Sequence, residues 1–453
     1  MEFKWTAAQQ HRLGEFFQDV GQLLGNDARR VSFTKYAMGL LGEAERKSME
    51  PIAVQFDPCV HGADAAHQRM QQFITDSNWD DVAVRAYAAK IAVAAMTKHD
   101  TIRAWIIDDT GFLKQGRHSV GVQRQYTGSA GKITNCQTAT SLVIATSSWH
   151  AAIDFALYLP KSWTDDPQRR REARIPDDVM FQTKPQQAIS MIARAVAQGI
   201  PPGVVLADAG YGDAHLFRYQ IRALDLHYAV GVEGQTKAWL TNEDADCAWD
   251  KRTSLTSIAK QLTPQRQFVT WREGTKQALS STFALTRVTP APRTQTKKTI
   301  SEPVSLLIEW QANESGDKPR VKFYFISQPN LSLKDMVHLI KERYRTEQVY
   351  AELKGELGLD HFEGRRFRGW NHHVSVVLAC QLFVVAERAL FLSPYPSSNS
   401  QHCAPVLVPC GTSRIPWRPF DLPLLVQLHR DFCLVAQPAI NHQSNAKSES
   451  PTI

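Results

Sequence analysis

The strongest constraint on how this chain can fold is an ordered change of hydrophobic period between residues 103 and 234. RAWIIDDTGFL reads as a short strand with two acids at its end. NCQTATSLVIATS and HAAIDFALYLP follow as two more β-rich runs, with Ser147 and Ser148 at the turn between them. QQAISMIARAVAQG then takes up helical period and stops at Gly199, a residue that accepts the left-handed backbone of a helix terminus. GVVLADAGYGD returns to an apolar strand, AHLFRYQIRAL is helical, and LHYAVGVEG is a fifth strand.

Three strands, helix, strand, helix, strand is the order of an RNase H-like core, so the predicted class is α/β. The final helix of such a core is missing at that point. Residues 235–330 instead carry further strand-like runs (QFVTWRE, STFALTRV, VSLLIEWQA and VKFYFIS), with the basic loop RTQTKKT between the middle pair. They read as a β-rich insertion. Helical period returns in LKDMVHLIKERYRTEQVYAELKGELG, read as one helix with Ser332 as its N-cap. Upstream, residues 1–100 are helical in pattern, and Asp80 or Asp81 is placed to cap the helix DVAVRAYAAKIAVAAMTKH. The predicted division is therefore 1–100 helical, 101–234 first part of the core, 235–330 insertion, 331–392 final core helices, and 393–453 a Pro- and Ser-rich extension ending in a disordered tail.

Composition excludes some function classes. Hydrophobic residues at 43% and charged residues at 21% describe a globular chain with ample core material. A net charge of +7 suits a polyanionic partner. The start MEFKWTAAQQHRLGEFF lacks an apolar stretch of signal-peptide length, so a cytoplasmic location is expected. The most apolar stretch, 374–392, is interrupted by Gln381, Glu387 and Arg388, and reads as a buried helix rather than a membrane span. Seven cysteines without a C-x-x-C pair, including Cys403 and Cys410 beside His402, fit reduced thiols rather than a zinc site.

Three acids fall where this fold makes them useful. Asp108, with Asp109 beside it, ends the first strand; Asp208 ends the fourth, 100 residues later; Glu347 lies on the late helix, a further 139 residues on. Strand ends in an α/β sheet meet at one crevice, where separated acids converge. Carboxylates there hold Mg²⁺, or Mn²⁺ in its place, and two such ions about 4 Å apart serve phosphoryl transfer. Each acid has an ordinary alternative: a turn or helix cap for either Asp, and an i,i+4 ion pair with Arg343 for Glu347.

Four motifs carry a resemblance: DDTGFLKQGRHSVGVQRQYTGSAGKITNCQ (108–137), LPKSWTDDPQRRREARIP (159–176), VLADAGYGD (205–213) and YRTEQVYAELKGELGLDHFEGRRFRGWNHH (344–373). In these, and over most of residues 30–390, the chain resembles bacterial insertion-sequence transposases of the DDE superfamily, nearest the insertion-sequence seven-hundred-one family. The resemblance implies Asp108, Asp208 and Glu347 as catalytic metal ligands, with Asp109 as the rival to Asp108. It also places Arg343 and Lys354 in a Y-R-E-K signature whose tyrosine position holds Ile340 here. On a continuous helix 343, 347 and 354 share one face, so the two basic residues flank the glutamate and grip phosphate. Lys114, Arg124 and Arg365 are further candidate DNA contacts, with Arg117, Arg366, Arg368 and Arg169 to Arg171 as weaker ones. His372 and His373 diverge on a helix and are assigned to packing or surface. The implied activity is metal-dependent cleavage at transposon ends and transfer of the 3′-hydroxyl into target DNA. Residues 1–100 would bind the end, a homodimer would pair two ends, and no membrane is involved. The competing functions are an RNase H-like host nuclease and a non-catalytic, transposase-derived repressor.

Overall fold

The computed structural model describes residues 6–56, 60–240, 249–272, 278–292, 302–311 and 320–391. The basic loop RTQTKKT, the extension after 392, and Cys403, Cys410 and His402 lie outside them. The strands are β1 (Ala104–Leu113), β2 (Gln123–Thr127), β3 (Lys132–Ala145), β4 (His150–Leu157), β5 (Val204–Ala207), β6 (Tyr228–Val232), β7 (Lys237–Leu240), β8 (Thr253–Ser254), β9 (Gln267–Arg272), β10 (Leu279–Pro290), β11 (Val304–Gln311) and β12 (Arg320–Ile326). Five helices precede them: α1 (Ala7–Leu23), α2 (Asp27–Leu41), α3 (Met49–Phe56), α4 (Val60–Thr75) and α5 (Asp81–Met96). Within the core come α6 (Lys161–Thr164), α7 (Pro167–Ala173), α8 (Lys184–Ala197), α9 (Ala209–Gly212), α10 (His215–Ala223) and α11 (Leu255–Leu262). The chain closes with α12 (Leu333–Lys341), α13 (Tyr344–Gly355) and α14 (Phe367–Phe391).

At the centre, strands run in the order β4-β3-β1-β5-β6. β1 is antiparallel to β3, β3 is antiparallel to β4, and β5 and β6 run parallel to β1. That is the RNase H-like arrangement expected from the element order. The hairpin strand β2, which period alone did not reveal, shares the outer edge of β3 with β4. The β-rich stretch is an insertion in sequence but not a separate body in space. β12 pairs antiparallel with β6, and the sheet continues through β11 and β10, so the described strands form one sheet of twelve.

Local signals placed the helix ends well. Asp80 Oδ1 accepts the Ala83 amide at 3.0 Å and Ser332 Oγ accepts that of Asp335 at 3.1 Å, each satisfying a first-turn donor. Gly199 (φ 72°) ends α8, with Ile200 N–H donating back to Ala195 at 3.1 Å.

Helix α14 is the hub of the molecule. It is long and apolar enough to cross a membrane by length and composition, yet 83% of its most apolar window is buried inside the protein. Its few polar groups are tied to other elements. Glu387 takes a two-pronged contact from Arg12 on α1 (2.6 and 2.7 Å), and His373 Nδ1 meets the Tyr36 hydroxyl of α2 at 2.9 Å. His372 lies against the carbonyls of Ile74 and Trp79 (2.8 and 3.2 Å), stacked on the Trp79 ring. Both histidines therefore pack, and burial lowers each to a pKa of about 4. One hydrophobic core runs without interruption from Leu13 through the sheet to Val385.

One expected element is divided. The late helix breaks into α12 and α13 at Glu342 and Arg343. Around the break Glu342, Arg345 and Thr346 donate to Leu339, Glu342 and Arg343, three residues back rather than four. Arg343 therefore precedes α13 instead of sitting one turn behind Glu347 on a continuous helix. The physical reason is tertiary. The buried Arg345 side chain reaches Glu342 and the Ser147 carbonyl (2.9 Å for the latter), pinning the bend to the β3–β4 turn.

Candidate active site

β1 and β5 keep a register offset of 100 residues, with Ile106 opposite Leu206. Carried two residues further, the same offset would set Asp108 level with Asp208, which follows the last residue of β5; β1 does not end at its acids as the sequence suggested but runs on to Leu113. Parallel strands lie about 4.8 Å apart, and residues level in register face the same way. The spacing of 100 in the sequence is thus the register of the sheet.

Adjacency on a strand separates Asp108 from Asp109, because successive side chains point to opposite faces. Asp109 meets Lys184 at the start of α8, with Nζ 2.6 Å from Oδ2. Asp108 faces α13. Its Oδ2 is 3.2 Å from Thr346 Oγ1 and 3.3 Å from Arg343 Nη2, and its Oδ1 accepts the Asp109 amide at 2.9 Å. Burial raises the pKa of Asp108, Arg343 and the Asp109 amide oppose that, and the nearby charges of Asp208 and Asp109 add to it.

Asp208 is held by backbone geometry. Its Oδ1 accepts the Gly210 amide at 2.9 Å, so it caps the short α9 as well as ending β5. The turn presses onto β6: a Cβ on Gly212 would lie 2.0 Å from the Gly231 carbonyl oxygen, and one on Gly231 would lie 3.1 Å from the Ala209 nitrogen. Two glycines permit this approach where any side chain would push the strands apart.

Glu347 sits on α13 one residue beyond Thr346, and its side chain is exposed. The i,i+4 ion pair with Arg343 is not formed, since Arg343 turns to Asp108. Arg343, Thr346, Tyr350 and Lys354, at offsets of 0, 3, 7 and 11, make the stripe that faces the sheet, and Glu347 lies at its edge. Tyr350 hydroxyl meets Ser141 Oγ at 2.6 Å, and Ser141 in turn donates to the Asp108 carbonyl at 3.4 Å. Thr346, Ser141 and Tyr350 carry no sequence signature; only the facing of α13 reveals them.

The basic candidates divide into two groups. Lys354 turns inward, with Nζ 2.8 Å from the Gly111 carbonyl and 3.4 Å from Ser129 Oγ, over the Phe112 ring. Lys114 Nζ is 2.6 Å from the Phe362 carbonyl. Burial lowers the pKa of both. In the absence of DNA both ammonium groups rest on backbone carbonyls. Arg124 and Arg365 are exposed. Arg365 and Lys114 line an open cleft of about 710 Å³ beyond the end of β1, together with Arg46, His118 and His361. Arg170 is fixed on the Val179 carbonyl at 2.9 Å and Arg169 on the Trp163 ring; Arg366, Arg368 and Arg174 converge on Asp76.

The donor chemistry fits a divalent cation. Burial, and to a smaller extent the charges of Asp208 and Asp109, raise the pKa of Asp108, and a bound cation would favour its charged form. Among the described residues no three His, Cys, Asp or Glu side chains close into one cluster, so Glu347 does not join the two aspartates in this structure.

An RNase H-like sheet with paired strand-end acids defines a class of nucleic-acid phosphoryl-transfer domain. Residues 19–289, more than half of the chain, match the family described as DDE superfamily endonuclease, and the chain belongs to that family. Asp108 and Asp208 fall inside the match and Glu347 beyond it. Over 208 residues the chain is 27% identical to a probable transposase for insertion sequence element IS701 from Microchaete diplosiphon, a match covering 46% of this chain. The chain spans about half the length of that curated relative. A piggyBac transposase in a synaptic complex with hairpin DNA is similar over 92% of this chain and 74% of its own, at 9% identity and a TM-score of 0.43.

Proposed function

We propose that this chain is a DNA transposase that cuts at the ends of an insertion sequence and joins the freed 3′-ends to target DNA. The observation that supports the reading is the common register offset of β1 and β5, which carries Asp108 toward Asp208, with α13 touching Asp108 through Thr346, the chain neighbour of Glu347. Asp108, Asp208 and Glu347 would hold Mg²⁺ or Mn²⁺. Bound there, the ions supply Lewis acidity to the attacking and leaving oxygens of a phosphodiester.

In the first step water adds to the scissile phosphorus, the P–O3′ bond breaks, and the leaving oxygen takes a proton to become a 3′-hydroxyl. In the second, that hydroxyl loses its proton, attacks a target phosphodiester and displaces the target's own 3′-oxygen. Each step exchanges one phosphate ester bond for another or for water, so no external energy source is needed. Asp109, engaged with Lys184 on the opposite face, takes no part. Arg343, Arg124 and Arg365 would follow the DNA backbone, with Lys114 and Lys354 bracing the loops beneath it. A homodimer pairing two ends and a cytoplasmic location accord with this reading.

The test is an assay on DNA carrying the inverted repeats that flank the gene. Wild-type protein with Mg²⁺ should nick at the repeat ends and join them to a second DNA, and chelation should stop both. Asp108→Ala, Asp208→Ala and Glu347→Ala should each lose cleavage while still binding the ends. Nicking without joining would favour a host nuclease; binding without nicking would favour a repressor.

A further inference from the structure

We propose that Arg343 couples DNA binding to metal binding: it holds Asp108 as an internal counter-cation in the DNA-free protein and moves onto a DNA phosphate when an end docks, releasing the carboxylate. The inference rests on the reading of Asp108 as a metal ligand.

The contact between Arg343 and Asp108 is looser than the two-pronged arginine–carboxylate pairs of the core, and resembles the one-nitrogen contact of Arg388 with Glu352, also at 3.3 Å. Arg12 grips Glu387 through two nitrogens at 2.6 and 2.7 Å, and Arg194 grips Asp154 through two at 2.7 and 3.1 Å. Arg343 reaches Asp108 through one nitrogen, at 3.3 Å, onto the same oxygen that Thr346 approaches. Its Nε is buried and has no hydrogen-bond partner. A planar five-donor group held by a single long contact is incompletely satisfied, and a phosphate offers the two-pronged acceptor it lacks.

Position and need point the same way. The Arg343 side chain is 28% exposed and that of Asp108 21%, so the contact borders solvent. It lies where the helical ladder lapses between α12 and α13, a place where a backbone adjusts without breaking i→i−4 bonds. Asp108 has acidic neighbours in Asp208 and Asp109, and the latter is already neutralised by Lys184. Among the described residues, Arg343 is the basic side chain in contact with Asp108. A metal ion must therefore displace it from Asp108 Oδ2, and DNA that draws it away makes that displacement easier. Linkage makes the effect reciprocal: DNA tightens metal binding and metal tightens DNA binding.

The experiment measures Mn²⁺ binding to the full chain by calorimetry, with and without a duplex bearing the flanking inverted repeat. In DNA-free protein Arg343→Gln should bind Mn²⁺ at least about fivefold more tightly than wild type, the low end of usual site–site coupling. DNA phosphates attract cations on their own account, so the decisive quantity is the difference between proteins. Adding the duplex should tighten Mn²⁺ binding at least about fivefold more in wild type than in Arg343→Gln. Arg343→Lys, whose amine lacks the planar fork, should tighten DNA-free binding about twofold and carries the test if the Gln variant does not fold. Unchanged Mn²⁺ affinity in a folded Arg343 variant, with Asp108→Asn still weakening it, overturns the coupling and leaves the metal site standing. Mn²⁺ binding indifferent to Asp108→Asn removes the metal-ligand reading, and the coupling with it.

Discussion

The two sides of the candidate site are built by different physics. On the sheet side, Asp108 and Asp208 are placed by backbone: a parallel register, an amide cap on Gly210, and two glycines that let β6 press against the Asp208 turn. On the helix side, Glu347 is placed by side chains: Thr346 and Arg343 on Asp108, Tyr350 on Ser141, and Lys354 on Gly111 and Ser129. Ladder bonds fix a position cooperatively across many residues, whereas a few side-chain contacts of about 1 kcal/mol each leave a helix adjustable. The sheet half is thus set by ladder bonds and the helix half by a handful of side-chain contacts.

The sharpest attempt to break this contrast is Gly212→Ala. Its new methyl would overlap the Gly231 carbonyl, and relief requires moving backbone. The expected loss is about 3 kcal/mol of stability, read in urea denaturation, together with cleavage. A stable and fully active variant would mean that the Asp208 turn is not rigidly set.

A smaller effect is expected on the helix side. Thr346→Val keeps shape but removes the hydroxyl shared between the Arg343 carbonyl (2.7 Å) and Asp108 (3.2 Å). Stability should fall by about 1 kcal/mol and cleavage by about tenfold, with melting and single-turnover rate measured side by side. If stability falls and rate does not, Thr346 only fastens the helix and does not align the site.

The smallest effect belongs to the opposite face of β1. Asp109→Asn loses the ion pair to Lys184, both partners being 27% exposed, and should cost up to about 1 kcal/mol of thermal stability. Cleavage should stay within about twofold of wild type, since the Asp109 side chain is engaged with Lys184 on the opposite face of β1 and its amide, which Asp108 uses, is unchanged. A dead Asp109→Asn protein beside an active Asp108→Ala protein would transfer the catalytic role by one residue.

Much of the sheet side was legible in the sequence because it depends on local pattern. Strand and helix periods gave the order of the core, and an offset of 100 between two acids is also a register. The adjacency of Asp108 and Asp109 dictates opposite faces, although which face holds the site is not a local property. The helix side was legible only in part: Arg343, Glu347 and Lys354 were picked out, but the division of their helix into α12 and α13 was not. A continuous helix is the local optimum for KERYRTEQVY, and local reasoning keeps it whole.

The sequence by itself determined the α/β class, the core strand order, the capped helix ends and the residue types of the site, because each follows from period, propensity or spacing along one segment. Tertiary structure alone decided that the β-rich insertion extends the core sheet through β12, and that α14 anchors the N-terminal helices. It also decided that the late helix breaks before Tyr344, that Arg343 turns to Asp108, and that Lys354 turns inward. These outcomes rest on partners more than 200 residues away for the two basic side chains, and on Ser147 for the bend. Contacts of that range exist only once the sheet has formed, so no window along the chain encodes them.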